Sequence, residues 1–153
     1  MAVKAIPEGY RTVTPYLICA GAAKAIDYYQ QAFGAKERTR HEMPGGIIGH
    51  AEIEIGDSIV MLADEFPQMN VKGPLTIGGT PVGLCIYVAN VDEVFNRAIN
   101  AGAKVERPLQ DQFYGDRTGT LIDPFGHKWT IATHIEDVTP EEMQKRMEAA
   151  KPA

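Results

Sequence analysis

The sequence predicts an α+β fold in which two βαβββ modules form a paired, curved mixed sheet. The same order of strand-like and helix-like segments occurs twice along the chain, and glycines that end corresponding segments recur at near-constant offsets. Gly34 corresponds to Gly102, 68 positions later, and Gly56 corresponds to Gly126, 70 positions later. With 153 residues the chain is long enough for one domain with a substantial core. The same order of elements at a near-constant spacing indicates an internal repeat.

The first module is predicted to span residues 12–65. Residues 12–19 are rich in β-branched and aromatic side chains and are predicted as a strand. Residues 22–33 are predicted as a helix with one apolar face, which Gly34 ends. Three predicted strands follow, separated by glycine-containing turns, and they cover residues 36–43, 47–55 and 58–63.

The second module is predicted to span residues 82–137 and repeats this order. After a strand over 83–88, Asn90 is placed to cap a helix whose first turn is acidic. Three further strands are predicted over 104–109, 118–122 and 128–133. Residues 66–81 contain three prolines and three glycines and are predicted as a linker. A C-terminal helix is predicted over about 140–149, because Thr139-Pro140-Glu141-Glu142 is a favourable helix start.

The composition restricts the function classes. The chain is 44% apolar and 23% charged, with a net charge of −5, so a general attraction to nucleic acid or to an anionic membrane is not expected. No apolar run approaches the roughly 20 residues of a membrane span, and the first residues lack the apolar centre of a secretory signal. A cytoplasmic protein is therefore expected. Cys19 and Cys85 lie in apolar runs and are expected to be buried free thiols.

Several motifs carry a family resemblance. They are Ala25-Ile26-Asp27-Tyr28-Tyr29, His50-Ala51-Glu52-Ile53, Asp111-Gln112-Phe113-Tyr114-Gly115-Asp116-Arg117 and Asp123-Pro124-Phe125-Gly126-His127. In these motifs the chain resembles the vicinal oxygen chelate superfamily, which includes glyoxalase I, extradiol dioxygenases and bleomycin-resistance proteins. It is most similar to the PhnB-like branch, over roughly residues 12–145. The resemblance implies a glyoxalase-like fold, but a fold alone does not fix a reaction.

The resemblance also implies where a metal ion would bind. In glyoxalase I, the first and last strand of each module supply His or Glu ligands, and the corresponding positions here hold Thr14, Met61, Gly83 and Thr130. None of these residues offers the imidazole, carboxylate or thiolate that a zinc, nickel or iron ion needs. We therefore expect no metal at these positions and no cofactor.

Strand alternation predicts an apolar and aromatic cavity instead, since residues two apart share a face of a strand. Its predicted ligand-binding residues are Tyr16, Ile18, Met61, Cys85 and Tyr87 on the strands, and Gln112, Tyr114 and Arg117 at the rim. Tyrosine and methionine suit an aromatic or otherwise polarisable ligand. The alternative is that the strand residues only fill the interior. For Arg117 the alternative is structural pairing with Asp111 or Asp116.

His50 and Glu52 lie two apart on a predicted strand and are the candidate catalytic residues. They are placed to form an acid/base pair or part of a displaced metal site, and the alternative is a solvated strand face with a structural hydrogen bond.

Three functions remain open. The favoured one is a metal-free protein that binds and sequesters a small molecule, with an aromatic compound as one candidate. The second is a glyoxalase-related lyase or dioxygenase that acts at His50 and Glu52, and the third is a non-enzymatic assembly domain. Bleomycin-resistance relatives are dimers with pockets at the subunit boundary, so the resemblance also implies a homodimer.

Overall fold

A computed structural model describes residues 2–150 and confirms the predicted α+β class. The first module forms a four-stranded sheet in the order β1-β4-β3-β2, in which β1 and β4 are parallel and the other neighbours are antiparallel. Its elements are β1 (Tyr16–Cys19), α1 (Ala22–Phe33), β2 (Lys36–Met43), β3 (Ile47–Ile55) and β4 (Ser58–Asp64).

The second module repeats the arrangement as a sheet in the order β5-β8-β7-β6. The linker contains a single turn of 3-10 helix (Pro67–Met69) and the short helix α2 (Pro74–Ile77). The remaining elements are β5 (Gly83–Tyr87), α3 (Val91–Asn100), β6 (Lys104–Asp111), β7 (Asp116–Ile122), β8 (Lys128–His134) and α4 (Pro140–Ala149). No helix among residues 2–150 is both long enough and apolar enough to cross a membrane.

The two sheets share one register. Tyr16 pairs with Met61 in the first sheet, and Cys85 pairs with Thr130 in the second. Tyr16 corresponds to Cys85 and Met61 corresponds to Thr130, in each case 69 residues later in the chain. The repeat seen in the sequence is therefore a repeat of strand pairing as well as of element order.

The first strand begins later than expected, at Tyr16 rather than at residue 12. Pro15 explains the difference, because proline has no backbone N–H to donate to a strand ladder. Its carbonyl still accepts a hydrogen bond from the Met61 amide at 2.9 Å. Residues 12–14 consequently lie outside β1.

Cys19 is buried as expected, but Cys85 is exposed, so the expectation for the second cysteine is wrong. Cys85 lies on β5, an edge strand, and its side chain points away from the helix-covered face. An apolar run alone cannot distinguish a central strand from an edge strand.

The core lies between the sheets, where α1 and α3 pack against each other and against one face of each sheet. Leu62 from the first sheet and Leu121, Trp129 and Ile131 from the second belong to the same buried cluster. The residues adjacent to these in each strand, such as Thr130 next to Trp129, point to the opposite face of their sheet. In the first sheet, Tyr16 lies on that opposite face. We call these two surfaces the helix-free faces.

The buried carboxylate of Asp123 joins the two modules. Its Oδ2 accepts hydrogen bonds from the Tyr29 hydroxyl on α1 at 2.6 Å and from the Trp129 indole on β8 at 2.9 Å. Its Oδ1 accepts from the backbone amides of Phe125 and His127. Burial, followed by the charge of Asp123, raises the pKa of Tyr29 well above its usual value and keeps this hydroxyl a proton donor. Both carboxylate oxygens are thus satisfied inside the core.

Replacing Asp123 by asparagine should lower the free energy of unfolding by about 3 kcal/mol, because the amide NH2 faces donors and leaves them unpaired. Urea unfolding of the purified variant measures the change. The control is Asp27→Asn, the same substitution on the exposed side of α1, where we expect a change within about 0.5 kcal/mol. Equal stabilities for the two variants would contradict this role of Asp123.

Candidate functional site

A polar cluster lies on the helix-free face of the first sheet, and we call it the first-sheet cluster. The Tyr16 hydroxyl is 2.9 Å from His50 Nδ1, and His50 Nε2 is 3.5 Å from Glu52 Oε2. Burial raises the pKa of Tyr16, which favours its neutral hydroxyl as the donor to the imidazole. The structure therefore brings the two candidate catalytic residues together and places His50 in contact with one predicted ligand-binding residue, Tyr16. The Tyr16–His50 distance is that of a hydrogen bond, whereas the His50–Glu52 distance is longer than one.

A second polar cluster, the second-sheet cluster, lies on the helix-free face of the other module. Asp116 is only 6% exposed, and its two oxygens lie 2.7 Å from the Tyr87 hydroxyl and 2.7 Å from His134 Nδ1. His134 Nε2 lies 2.7 Å from a carboxylate oxygen of Asp137. With a carboxylate at each ring nitrogen, the imidazole can donate to both when it is protonated.

The charges in the second-sheet cluster support one another. Burial alone would raise the pKa of Asp116, but hydrogen bonds from His134 and Tyr87 outweigh it and lower that pKa below the usual value. Hydrogen bonds to Asp116 and then to Asp137 raise the pKa of His134. The hydrogen bond to Asp116 raises the pKa of Tyr87 to about 12. These shifts favour a carboxylate at Asp116, a protonated imidazole at His134 and a neutral phenol at Tyr87.

Strand register explains the second-sheet cluster. Asp116 and His134 are direct partners in the antiparallel pair β7–β8, so their side chains share one face. Tyr87 reaches Asp116 from β5 across β8, which carries the small residue Ala132 at that level. Asp116 and His134 are not among the site residues predicted from the sequence, because their pairing depends on a register that the sequence does not reveal.

The five predicted ligand-binding residues on the strands line three cavities rather than one. Cys85 and Tyr87 line a cleft of about 780 Å³ between the free edge of β5 and the first module. Met61 lines a cavity of about 630 Å³ on the helix-free face of the first sheet. Tyr16 and Ile18 line a smaller pocket of about 230 Å³ next to α2.

The three predicted rim residues have different environments. Gln112 donates from its amide to the Thr118 hydroxyl at 3.1 Å, and Tyr114 packs edge-on against Phe113. Arg117 follows Asp116 on β7 and therefore points to the opposite, helix-covered side. There it binds Asp92 on α3 through two hydrogen bonds and Asp111 through a third. The contact with Asp111 corresponds to the structural alternative for Arg117.

The four positions implied for a metal ion do not present suitable donors. Met61 and Thr14 line the same cavity, while the Thr130 hydroxyl lies 3.0 Å from that of Thr120. Gly83 has no side chain. Within residues 2–150 there is also no group of three or more His, Cys, Asp or Glu placed to hold a metal ion. A divalent transition metal does not fit the residues present at these positions.

Comparisons of the sequence and of the structure with known proteins point to the same family. Residues 12–131 match the profile of the glyoxalase/bleomycin resistance protein/dioxygenase superfamily. A protein of Mycobacterium bovis is 43% identical over 138 residues, which cover 88% of this chain and 91% of the relative. The YjdN protein of Escherichia coli is 26% identical over 140 residues, covering 78% and 92% of the two chains.

Solved structures show the same fold. TioX from Micromonospora sp. ML1 aligns with a TM-score of 0.65 and 30% identity, covering 82% of this chain and 99% of TioX. The PhnB protein from Bacillus cereus aligns with a TM-score of 0.65 at 17% identity, covering 80% and 99% of the two chains. At that identity, the PhnB likeness supports the fold alone.

The raised pKa of His134 predicts a pH-dependent contribution to stability. A group whose pKa is higher in the folded state stabilises the fold fully below its unfolded value, about 6.5 for histidine, and this contribution is lost as the pH rises through the folded-state pKa. The stability lost in His134→Gln should therefore be largest below about pH 6.5 and shrink at higher pH. Urea unfolding at a series of pH values measures this trend.

The source of the shift can be tested in the same protein. In Asp116→Asn, the His134 imidazole should titrate at a lower pH than in the wild type, as followed by its NMR signals. An unchanged titration would show that Asp116 does not stabilise the imidazolium.

Proposed function

Because the chain belongs to the glyoxalase/bleomycin resistance/dioxygenase superfamily, we propose that it binds and sequesters a small, apolar or aromatic molecule. The observation that carries the proposal is aromatic side chains left open on the helix-free faces. Tyr16 is 47% exposed and Tyr87 is 65% exposed, although each lies on a strand beside a cavity. Aromatic faces open to a cavity are favourable surfaces for a planar ligand.

In this proposal the ligand is held without a metal ion at the family's usual positions. The support is the chemistry of Thr14, Met61, Gly83 and Thr130, which lack strong donors for such an ion. Methionine and threonine side chains instead contribute apolar contact and weak hydrogen bonding, which suit an organic ligand.

A screen of aromatic compounds by thermal unfolding tests the proposal. A ligand present at 100 times its Kd should add about 2.7 kcal/mol of stability, which gives a clear rise in Tm. Tyr87→Ala should weaken the response of a compound that binds beside β5. Ile77→Ala, which removes an exposed apolar side chain from α2, should leave that response unchanged. A flat screen would favour the third function, an assembly domain.

We further propose a homodimer in which a second copy covers the helix-free faces. The first-sheet and second-sheet clusters lie on sheet faces that point away from the shared core, so one chain does not enclose both. A partner copy would place additional walls around them and remove exposed apolar side chains from water.

Sedimentation equilibrium should give twice the chain mass of 16.7 kDa. Tyr87→Arg should shift the equilibrium toward the single chain, since it places a charge on the proposed interface. Met69→Arg, which places the same charge at an exposed residue of the 3-10 turn, is the matched control and should remain a dimer. A single-chain mass at micromolar concentrations of the wild type would contradict the dimer.

The contacts of the first-sheet cluster favour a second candidate function, an acid/base enzyme. Tyr16 contacts His50, and His50 lies next to Glu52, which lines the cavity of about 630 Å³; a general base and its orienting group would be placed in this way. Elemental analysis of the purified protein, together with the double variant His50→Ala/Glu52→Ala, separates the two candidates. Stoichiometric metal that is lost in the double variant would favour the enzyme over the sequestering protein.

A further inference from the structure

The cavity of about 630 Å³ on the helix-free face of the first sheet lies beneath the N-terminal segment. Residues 5–12 form its outer wall, and Thr14, Arg38, Glu52 and Met61 are among the residues beneath them. Arg38 is not among the residues predicted from the sequence. Its placement is nevertheless the strongest indication of the chemistry of a ligand in this cavity.

A β-bulge places Arg38 at this cavity. Glu37 pairs with Ile53 and Thr39 pairs with Glu52, so Arg38 is the extra residue of β2 and has no partner on β3. A bulge changes the direction of the side chain that it carries, and bulges occur frequently beside binding sites.

The guanidinium of Arg38 reaches the N-terminal segment. Its Nη1 lies 2.8 Å from the point where a Cβ of Gly9 would be, and Gly9 has a φ of +85°. The close approach and the backbone conformation both favour glycine at this position. The guanidinium carbon lies 5.8 Å from the centre of the Tyr10 ring, a cation–π contact that leaves the N–H donors in the plane free to bind.

Arg38 has no counter-ion in this cavity. Among the other charged lining residues, Glu8 pairs with Lys4 at 2.6 Å and Arg11 with Asp57 at 3.8 Å, while the Glu52 carboxylate lies 3.5 Å from the His50 imidazole. Arg38 forms no ion pair with any residue in the range 2–150, whereas its neighbour Arg40 pairs with Glu37 and Glu42. A protein of net charge −5 thus presents an exposed guanidinium, without an ion pair among the described residues, at the wall of a cavity.

We propose that Arg38 binds an anionic group of the ligand, and that the ligand class is an apolar or aromatic organic anion. The guanidinium fork matches a carboxylate or sulfonate through two parallel hydrogen bonds. Ile6, Tyr10 and Met61 line the same cavity and supply contact for an apolar body. This assignment rests on the proposed small-molecule binding and adds the charge of the molecule.

Two fluorescent probes that differ chiefly in one charge test the assignment. Anilinonaphthalene sulfonate is an aromatic anion, and N-phenylnaphthylamine is a similar aromatic molecule without the sulfonate. Fluorescence titration at constant ionic strength should show tighter binding of the sulfonate to the wild type. Arg38→Gln should weaken sulfonate binding about 10-fold, or about 1.4 kcal/mol, and leave the neutral probe unchanged. Arg38→Lys should recover part of the loss, because lysine keeps the charge but not the fork.

Arg107→Gln is the matched control. Arg107 lies on β6, the strand of the second module that corresponds to β2, and it is also exposed and without an ion pair in the described part of the chain. The Arg107→Gln variant should bind both probes as tightly as the wild type does.

If both probes bind and Arg38→Gln affects neither, or affects both equally, the role of Arg38 is refuted while the small-molecule pocket stands. If neither probe binds the wild type at millimolar concentration, the pocket itself is refuted, and the assignment of Arg38 with it.

Discussion

The buried carboxylate of Asp123 is the constraint on which the arrangement of the modules depends. A carboxylate in an apolar core is costly unless its oxygens are hydrogen-bonded, and here the donors come from both halves of the chain. Tyr29 belongs to the first module, whereas Trp129 and the two backbone amides belong to the second. Satisfying one buried group therefore fixes the helix of one module against the sheet of the other.

This arrangement separates stability from binding. The helices α1 and α3 meet between the sheets, so the buried cluster uses one face of the strands that lie next to them. The opposite faces contribute less to the core and carry the first-sheet and second-sheet clusters. Polar groups such as His50 and Asp116 therefore lie outside the buried cluster between the helices.

Much of the fold follows from local sequence. Glycine at 34 ends α1, Asn90 caps α3, and the alternation around Val60 and Trp129 correctly separates the helix-covered face from the helix-free face. These features depend on neighbouring residues or on strand periodicity, which a sequence displays directly.

The site was less predictable, because it depends on pairings between distant segments. The contact between Asp116 and His134 follows from the register of β7 and β8, and the direction of Arg38 follows from a bulge in β2. A single-residue slip would reverse both outcomes without changing the apolar pattern that predicts the strands. Arg117 shows the same limit, since its position next to Asp116 places it on the other side of the sheet.

The common offset of 69 residues has an evolutionary consequence. When one scaffold occurs twice in a chain, each copy can lose or gain polar groups while the other preserves an earlier solution. The two halves differ in this way: Tyr16 on β1 contacts a histidine, whereas the equivalent position on β5 holds Cys85, and Tyr87, two residues later, contacts an aspartate. Gene duplication thus gives such a protein two independent starting points for new chemistry on one architecture.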